Sequence, residues 1–186
     1  MAKEELTQWT FKILLLGDMA VGKTSLINQY LKHSFEEDYK PTLGVNIITI
    51  DLEIKEIDTL IKLIIWDIAG QDKYEKFRRS YYEGCSGALL VYDLTRQHTL
   101  NNIEKKWFKD VKNHVTKKID YVLIGNKLDL EDSRVINSDE GNDVAKKINA
   151  VDFIETSAKN GENVEDAFLT LIYNILNKFG IKININ

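Results

Sequence analysis

Cysteine and proline are nearly missing from this chain: Cys85 and Pro41 are the only ones in 186 residues. One thiol excludes an internal disulfide and gives no sign of an oxidising compartment, so the cytoplasm is the expected location. One proline leaves no material for a proline-rich linker, and neither repeats nor low-complexity tracts interrupt the sequence. Long apolar runs are missing too. The hydrophobic stretches are short and broken by lysine, far below the roughly 20 residues that span a bilayer. The opening MAKEELTQWT carries charges where a secretion signal needs an apolar segment, and Ala2 stands where N-myristoylation needs glycine. Basic charge is in deficit, with 25 Lys and Arg against 29 Asp and Glu for a net −4, so bulk electrostatics do not draw the chain to nucleic acid. Small ligands and partner proteins are the expected company. With 44% hydrophobic residues the chain can bury one sizeable core, and a single domain is expected.

What is present is a recurring unit. Short runs rich in Ile, Leu and Val, each followed by a turn and a longer segment of helical period, predict an α/β fold with a mainly parallel sheet. The predicted strands are Phe11 to Leu16, Leu60 to Trp66, Ala88 to Tyr92, Tyr121 to Ile124 and Phe153 to Ile154, whose near-continuous hydrophobicity suits coverage on both faces. Val45 to Ile54 differs, because Ile48, Ile50, Leu52 and Ile54 alternate with Thr49, Asp51 and Glu53. That alternation predicts a half-exposed edge strand, antiparallel to the next across the polar connection Lys55 to Asp58. Two amphipathic helices are predicted. One carries Leu100, Ile103, Trp107, Val111 and Val115 on its buried face; the other carries Val164, Phe168, Leu171, Ile172, Ile175, Leu176 and Phe179 and stops at Gly180.

The chemistry begins where the first strand ends. Gly17-Asp18-Met19-Ala20-Val21-Gly22-Lys23-Thr24-Ser25 has the spacing of a phosphate-binding loop between strand and helix. Backbone N–H groups from Ala20, Val21 and Gly22 to Lys23, Thr24 and Ser25 can face the α- and β-phosphates at a helix N-terminus. Lys23 can reach the β/γ oxygens, and the Thr24 hydroxyl can ligate magnesium. Asp67 closes another strand and begins Asp67-Ile68-Ala69-Gly70-Gln71, where a carboxylate can orient magnesium and the Gly70 N–H can reach a γ-phosphate. Asn126-Lys127-Leu128-Asp129 decides the base. A fixed carboxylate accepts from guanine N1–H and the 2-amino group, and adenine offers a donor at neither place. Ser157-Ala158-Lys159 can add the Ala158 N–H for the guanine carbonyl.

In order and spacing these four motifs resemble the Ras superfamily of small GTPases from Phe11 to Phe179. The resemblance implies the P-loop NTPase (small G-protein) fold, a six-stranded mostly parallel sheet with one antiparallel edge strand and helices on both faces. It divides the chain into an extension at 1–10, a GTPase domain at 11–180 and a short tail at 181–186. It implies Mg2+ with GTP or GDP, Phe35 packed on the base, and Tyr39 and Thr42 in a first switch. There Thr42 ligates magnesium, with Thr24 and Asp67, and senses the γ-phosphate. The second switch starts near Ala69, and Gln71 positions the attacking water, so Gln71, Lys23 and Thr42 form the catalytic set. An exchange factor, a GTPase-activating protein and an effector are implied at 36–47 and 69–82, with the chain a monomer. Within the superfamily, Trp66 before Asp67, the Tyr81-Tyr82 pair and Leu90 to Thr95 are similar to Rab proteins. Three features depart from that pattern: Ile68 replaces the usual threonine, Gly44-Val45-Asn46-Ile47 only approximates the family's effector segment, and only Ile181 to Asn186 follow the last helix, without the usual prenylated cysteines.

The function expected is a hydrolysing GTP/GDP switch in Rab-like membrane traffic or related signalling. One alternative is a non-hydrolysing interaction protein that keeps its nucleotide permanently; another is an ATP-using phosphate-loop enzyme, which Asn126, Lys127 and Asp129 oppose. Arginine is also scarce where it matters, because Lys32 to Thr42 contains none and the first in the chain is Arg78. Met19 stands where related loops carry a small residue; it either crowds an incoming arginine or swings aside as an adaptable side chain. Cys85 reads as a small buried residue, His33, His98 and His114 lack metal-ligand spacing, and Lys105-Lys106 and Lys117-Lys118 read as solvated helix faces.

Overall fold

A computed structural model of the chain describes residues 7–32, 42–54, 59–70 and 80–181. One six-stranded sheet runs in the order β2-β3-β1-β4-β5-β6, built from β1 (Thr7–Leu16), β2 (Val45–Ile54), β3 (Thr59–Ile68), β4 (Gly87–Asp93), β5 (Asp120–Asn126) and β6 (Asp152–Thr156). Only β2 is antiparallel, pairing Val45 with Ile68 through Ile54 with Thr59. The other pairings are parallel. The antiparallel edge and its register follow the alternation in β2, whose Ile48, Ile50 and Leu52 are half-buried while Thr49, Asp51 and Glu53 are exposed.

The α-helices among the described residues are α1 (Lys23–Lys32), α2 (Gln97–Asn102), α3 (Lys109–His114), α4 (Ser138–Ile148) and α5 (Val164–Lys178). They help close two cores on opposite faces of the sheet. One gathers Ile13, Leu15, Ile65, Leu89 and Val91 with Leu26, Phe168, Leu171 and Ile172 from α1 and α5. The other gathers Leu14, Leu16, Ala88, Leu90 and Leu123 with Leu100, Ile103, Trp107, Val111 and Ile148. The α5 N-terminal turn carries Glu165 and Asp166, the sign its dipole favours. A reciprocal Asn137–Glu140 capping box starts α4.

Three details depart from the sequence reading. β1 begins at Thr7 rather than Phe11, because Trp9 stacks on Phe11 at 6.2 Å and leans on Phe179 at 5.1 Å, giving that polar stretch an apolar face. Phe179 itself is 55% exposed, just past the end of α5, and covers these two rings instead of entering the core. β3 alternates buried with half-buried positions, and β6 is largely half-exposed, since one neighbours the edge and the other forms it. The connection Lys55 to Asp58, Pro41 and His33 lie outside the described residues.

Cys85 is 6% exposed, and burial pushes its thiol up to about 11. In native protein at pH 8, an alkylating reagent is expected to label it more than about tenfold slower than in denaturant, since only the thiolate reacts. Equal labelling rates with and without denaturant, read by mass spectrometry, would contradict that burial.

Candidate nucleotide-binding site

All the predicted motifs that fall on described residues lie where strands end, at the C-terminal edge of the parallel sheet, where α/β folds bind ligands. β1 feeds the loop 17–22, which leads into α1. Gly22 has φ +100°, and a side-chain carbon there would sit 2.1 Å from Asn126 Nδ2. Ala20 also takes a positive φ of 59°. These residues curl the loop back on itself, and Lys23 Nζ donates to the carbonyls of Gly17 and Asp18, each at 2.8 Å. Lys23 is 7% exposed; desolvation lowers its pKa to about 8 despite the nearby Asp67 and Asp18 charges. Ser25 is half-buried in the first turn of α1.

Three oxygens meet beside this loop. Thr24 Oγ1 donates to Asp67 Oδ2 at 2.5 Å, Thr42 Oγ1 lies 3.4 Å from the same oxygen, and the two hydroxyls are 3.1 Å apart. Asp67 is fully buried and its Oδ1 has no hydrogen-bond partner among the described residues. Burial raises its pKa, against the opposing effects of Thr24, Lys23 and Thr42. Hard oxygen donors with one orphaned carboxylate oxygen suit a hard divalent cation such as magnesium. Gly70 packs directly on the phosphate loop, since a side-chain carbon there would meet the Asp18 carbonyl carbon and Met19 N at 2.4 Å. Just before it, Ala69 N–H donates to Gly44 O at 2.9 Å, stitching the segment after β3 to the one before β2.

The opposite end of the cleft is organised by Asn126. Its Nδ2 donates to Val21 O at 2.9 Å, while its Oδ1 accepts from Thr156 Oγ1 and Ala158 N–H, both at 3.1 Å. The Ala158 N–H expected for a base carbonyl is thus already engaged, and a base would share it as a second acceptor. Asp129 is exposed, and its Oδ1 accepts from the buried Ser157 hydroxyl at 2.7 Å. Lys127 sits at φ 75° with its ammonium 2.7 Å from Asp93 Oδ2, and Lys159 is exposed. Phe35, Tyr39 and Gln71 lie outside the described residues, as does most of the segment after Gly70.

Sequence reasoning missed Asp93, the fully buried end of β4. Burial alone would raise its pKa, but hydrogen bonds from Lys127 and Thr95 outweigh it and hold the carboxylate below its ordinary value. Arg96 Nε donates to the same oxygen at 2.8 Å, and its Nη2 reaches Met19 O at 3.1 Å. A carboxylate at the end of a buried parallel strand was the available signal for Asp93. Arg96 gave none, because only the fold brings it to the phosphate loop.

Residues 12–177 match the family model described as "Ras family". The chain is 42% identical over 173 residues to Ras-related protein RABA4b of Arabidopsis thaliana, covering 91% of this chain and 75% of that one. It is 40% identical to Ras-related protein Rab11D of Nicotiana tabacum, covering 91% and 76%, and 38% identical to human Ras-related protein Rab-8B, covering 95% and 83%.

Proposed function

Since the chain belongs to the Ras family of small GTPases, on its Rab side, we propose how its own residues divide the work of a switch that binds GTP, hydrolyses it to GDP and phosphate, and serves Rab-type membrane traffic. The catalytic body is 11–180. Backbone N–H groups from Ala20 to Ser25 and the Lys23 ammonium hold the phosphates, and the Gly70 N–H meets the γ-phosphate. When bound, magnesium supplies positive charge that neutralises β- and γ-phosphate oxygens; Thr24, Thr42 and Asp67 would hold it. Gln71 orients the attacking water. Asp129 accepts from the guanine N1–H and 2-amino group, Ala158 N–H serves its carbonyl, Phe35 packs on the ring, and Lys127, Ser157 and Lys159 frame the pocket. Thr42, Tyr39 and the segments 36–47 and 69–82 change order with the γ-phosphate and are read by exchange factor, activating protein and effector. The working unit is a monomer. Among the described residues no helix is long and apolar enough to cross a membrane.

The observation that carries this reading is the double grip of Asn126, which ties Val21 of the phosphate loop to Ala158 of the base loop. The groups proposed for phosphates and for base are thereby joined through one side chain. Acid quench of purified protein, with chromatography of what is released, is expected to yield GDP or GTP. Adenine nucleotides, or no nucleotide after incubation with GTP and magnesium, would sink the reading.

Replacing Thr24 with Asn is expected to weaken GTP at least about tenfold more than GDP, on the scale of one lost contact to a charged group, because a magnesium ion held by the Thr24 hydroxyl would offset phosphate charge, of which GTP carries more. Equal losses in parallel titrations would contradict the magnesium role of Thr24.

A further inference from the structure

An aspartate inside a phosphate loop is electrostatically awkward. Asp18 brings a negative charge next to the residues that receive phosphates, and it is tolerable only if its carboxylate is turned away and satisfied elsewhere. The structure does both. Asp18 Oδ2 accepts from Asn102 Nδ2 at 2.7 Å, and Asp18 Oδ1 accepts from Trp107 Nε1 at 2.8 Å. Both donors come from the segment packed on the far face of the sheet, more than 80 residues away in sequence.

Residues 102 and 107 do not share a face of an ordinary helix. At 3.6 residues per turn they stand about 140° apart. Here α2 ends at Asn102, and one wide π-helical turn, Ile103–Phe108, intervenes before α3 resumes at Lys109. Its i→i+5 hydrogen bonding brings residues five apart toward a common side, and single π turns inside α-helices gather at functional sites. The apolar spacing carries the same feature. From Ile103 through Trp107 and Val111 to Val115 every step is four residues, a drift of about 40° per step on an α-helix. A wider turn absorbs part of that drift and keeps Ile103, Trp107 and Val111 all fully buried.

The neighbouring loop residue is held from the same side, since Arg96 at the start of this segment donates to Met19 O while paired with Asp93. Asp18 matters to the loop interior because its carbonyl, with that of Gly17, receives the Lys23 ammonium.

From this geometry we propose that the π turn is a clamp on the phosphate loop, in which Asn102 and Trp107 are positioning residues that act through Asp18 to slow nucleotide release. The proposal rests on the reading that loop 17–22 holds phosphates. A straight α-helix would present one of the two donors and swing the other away. A loop pinned at one carboxylate oxygen opens more readily, so nucleotide leaves faster without any change in the groups that touch it.

The test follows GDP release from the full chain by displacement of a fluorescent GDP analogue in magnesium buffer. Trp107→Phe keeps the buried ring and removes the N–H; release is expected to quicken about tenfold, the effect of losing one hydrogen bond to a charged acceptor. Val111→Ala, a core change one turn on, should lower Tm at least as much and leave release within about twofold. Asn102→Asp, at a half-buried position, sets a like charge against Asp18 and is also expected to quicken release about tenfold. Combining it with Asp18→Asn exchanges donor and acceptor, retains an oxygen for Trp107, and should restore release to within about threefold of wild type. Release in Trp107→Phe no faster than in Val111→Ala, or a double variant faster than Asn102→Asp alone, would overturn the clamp. Should Trp107→Phe fail to fold, the charge exchange decides by itself. A wild-type protein that holds no guanine nucleotide would instead overturn the functional reading beneath it.

Discussion

Asp129→Asn is expected to lower GDP affinity by about 2–6 kcal/mol, since two base donors lose their acceptor at about 1–3 kcal/mol each. In equilibrium terms that is between about 30-fold and 10⁴-fold. The size depends on how firmly the carboxylate is fixed, and the Ser157 hydroxyl fixes it at 2.7 Å. An amide in its place turns a donor toward donors, so xanthine, with a carbonyl where guanine has its 2-amino group, should become the preferred base. Competition titrations with GDP and XDP on the purified variant test both halves. Unchanged GDP affinity would mean that the base sits elsewhere. Loss of GDP without any gain for XDP would mean that Asp129 supports the pocket without reading the base.

Intrinsic hydrolysis is expected to be slow, on the order of 10⁻⁴ to 10⁻³ s⁻¹, with an activating protein able to accelerate it by about 10³ to 10⁵. Lys32 to Thr42 contains no arginine. The fold adds a candidate, because Arg96 reaches the phosphate loop at Met19 O. Arg96 is nevertheless committed: its Nε lies 2.8 Å from Asp93 Oδ2, and that carboxylate is fully buried. Freeing the guanidinium would give up one of the partners of a buried carboxylate that Lys127 and Thr95 also hold. Arg96 therefore braces the loop and does not neutralise the transition state. Single-turnover hydrolysis should change less than about threefold in Arg96→Ala, whereas a wild-type rate above about 10⁻² s⁻¹, the level of an arginine already in place, would sink this account. Gln71→Leu should slow the intrinsic rate further by losing the positioned water. Met19 is 49% exposed, which favours the adaptable side chain over the obstruction.

Much of the candidate site could be read from the chain because the groups proposed to hold phosphate and base come in short local runs. A phosphate loop is a run of consecutive backbone N–H groups, so glycines and one lysine at fixed spacing specify it. The base motif is a tetrapeptide for the same reason. The strands were legible by their hydrophobicity, though β1 was placed too short where Thr7, Gln8 and Thr10 surround Trp9. The amphipathic spacing around Trp107 correctly assigned its burial. It did not reveal that the indole N–H would be an anchor for Asp18, nor that the repeated four-residue step would be met by a π turn.

The sequence by itself showed the residue types for an anion cradle and for a carboxylate acceptor in short local runs, while the oxygen set of Thr24, Thr42 and Asp67 meets only in the fold. The tertiary structure decided how those pieces are held together. Asn126 joining the backbones of Val21 and Ala158, Asp93 joining Lys127, and Asp18 joining Asn102 and Trp107 all link groups about 30 or more residues apart in sequence. Such pairs leave no periodicity and no spacing to read. They exist because parallel strands deliver their C-terminal ends to one edge, where buried polar groups must find partners in one another.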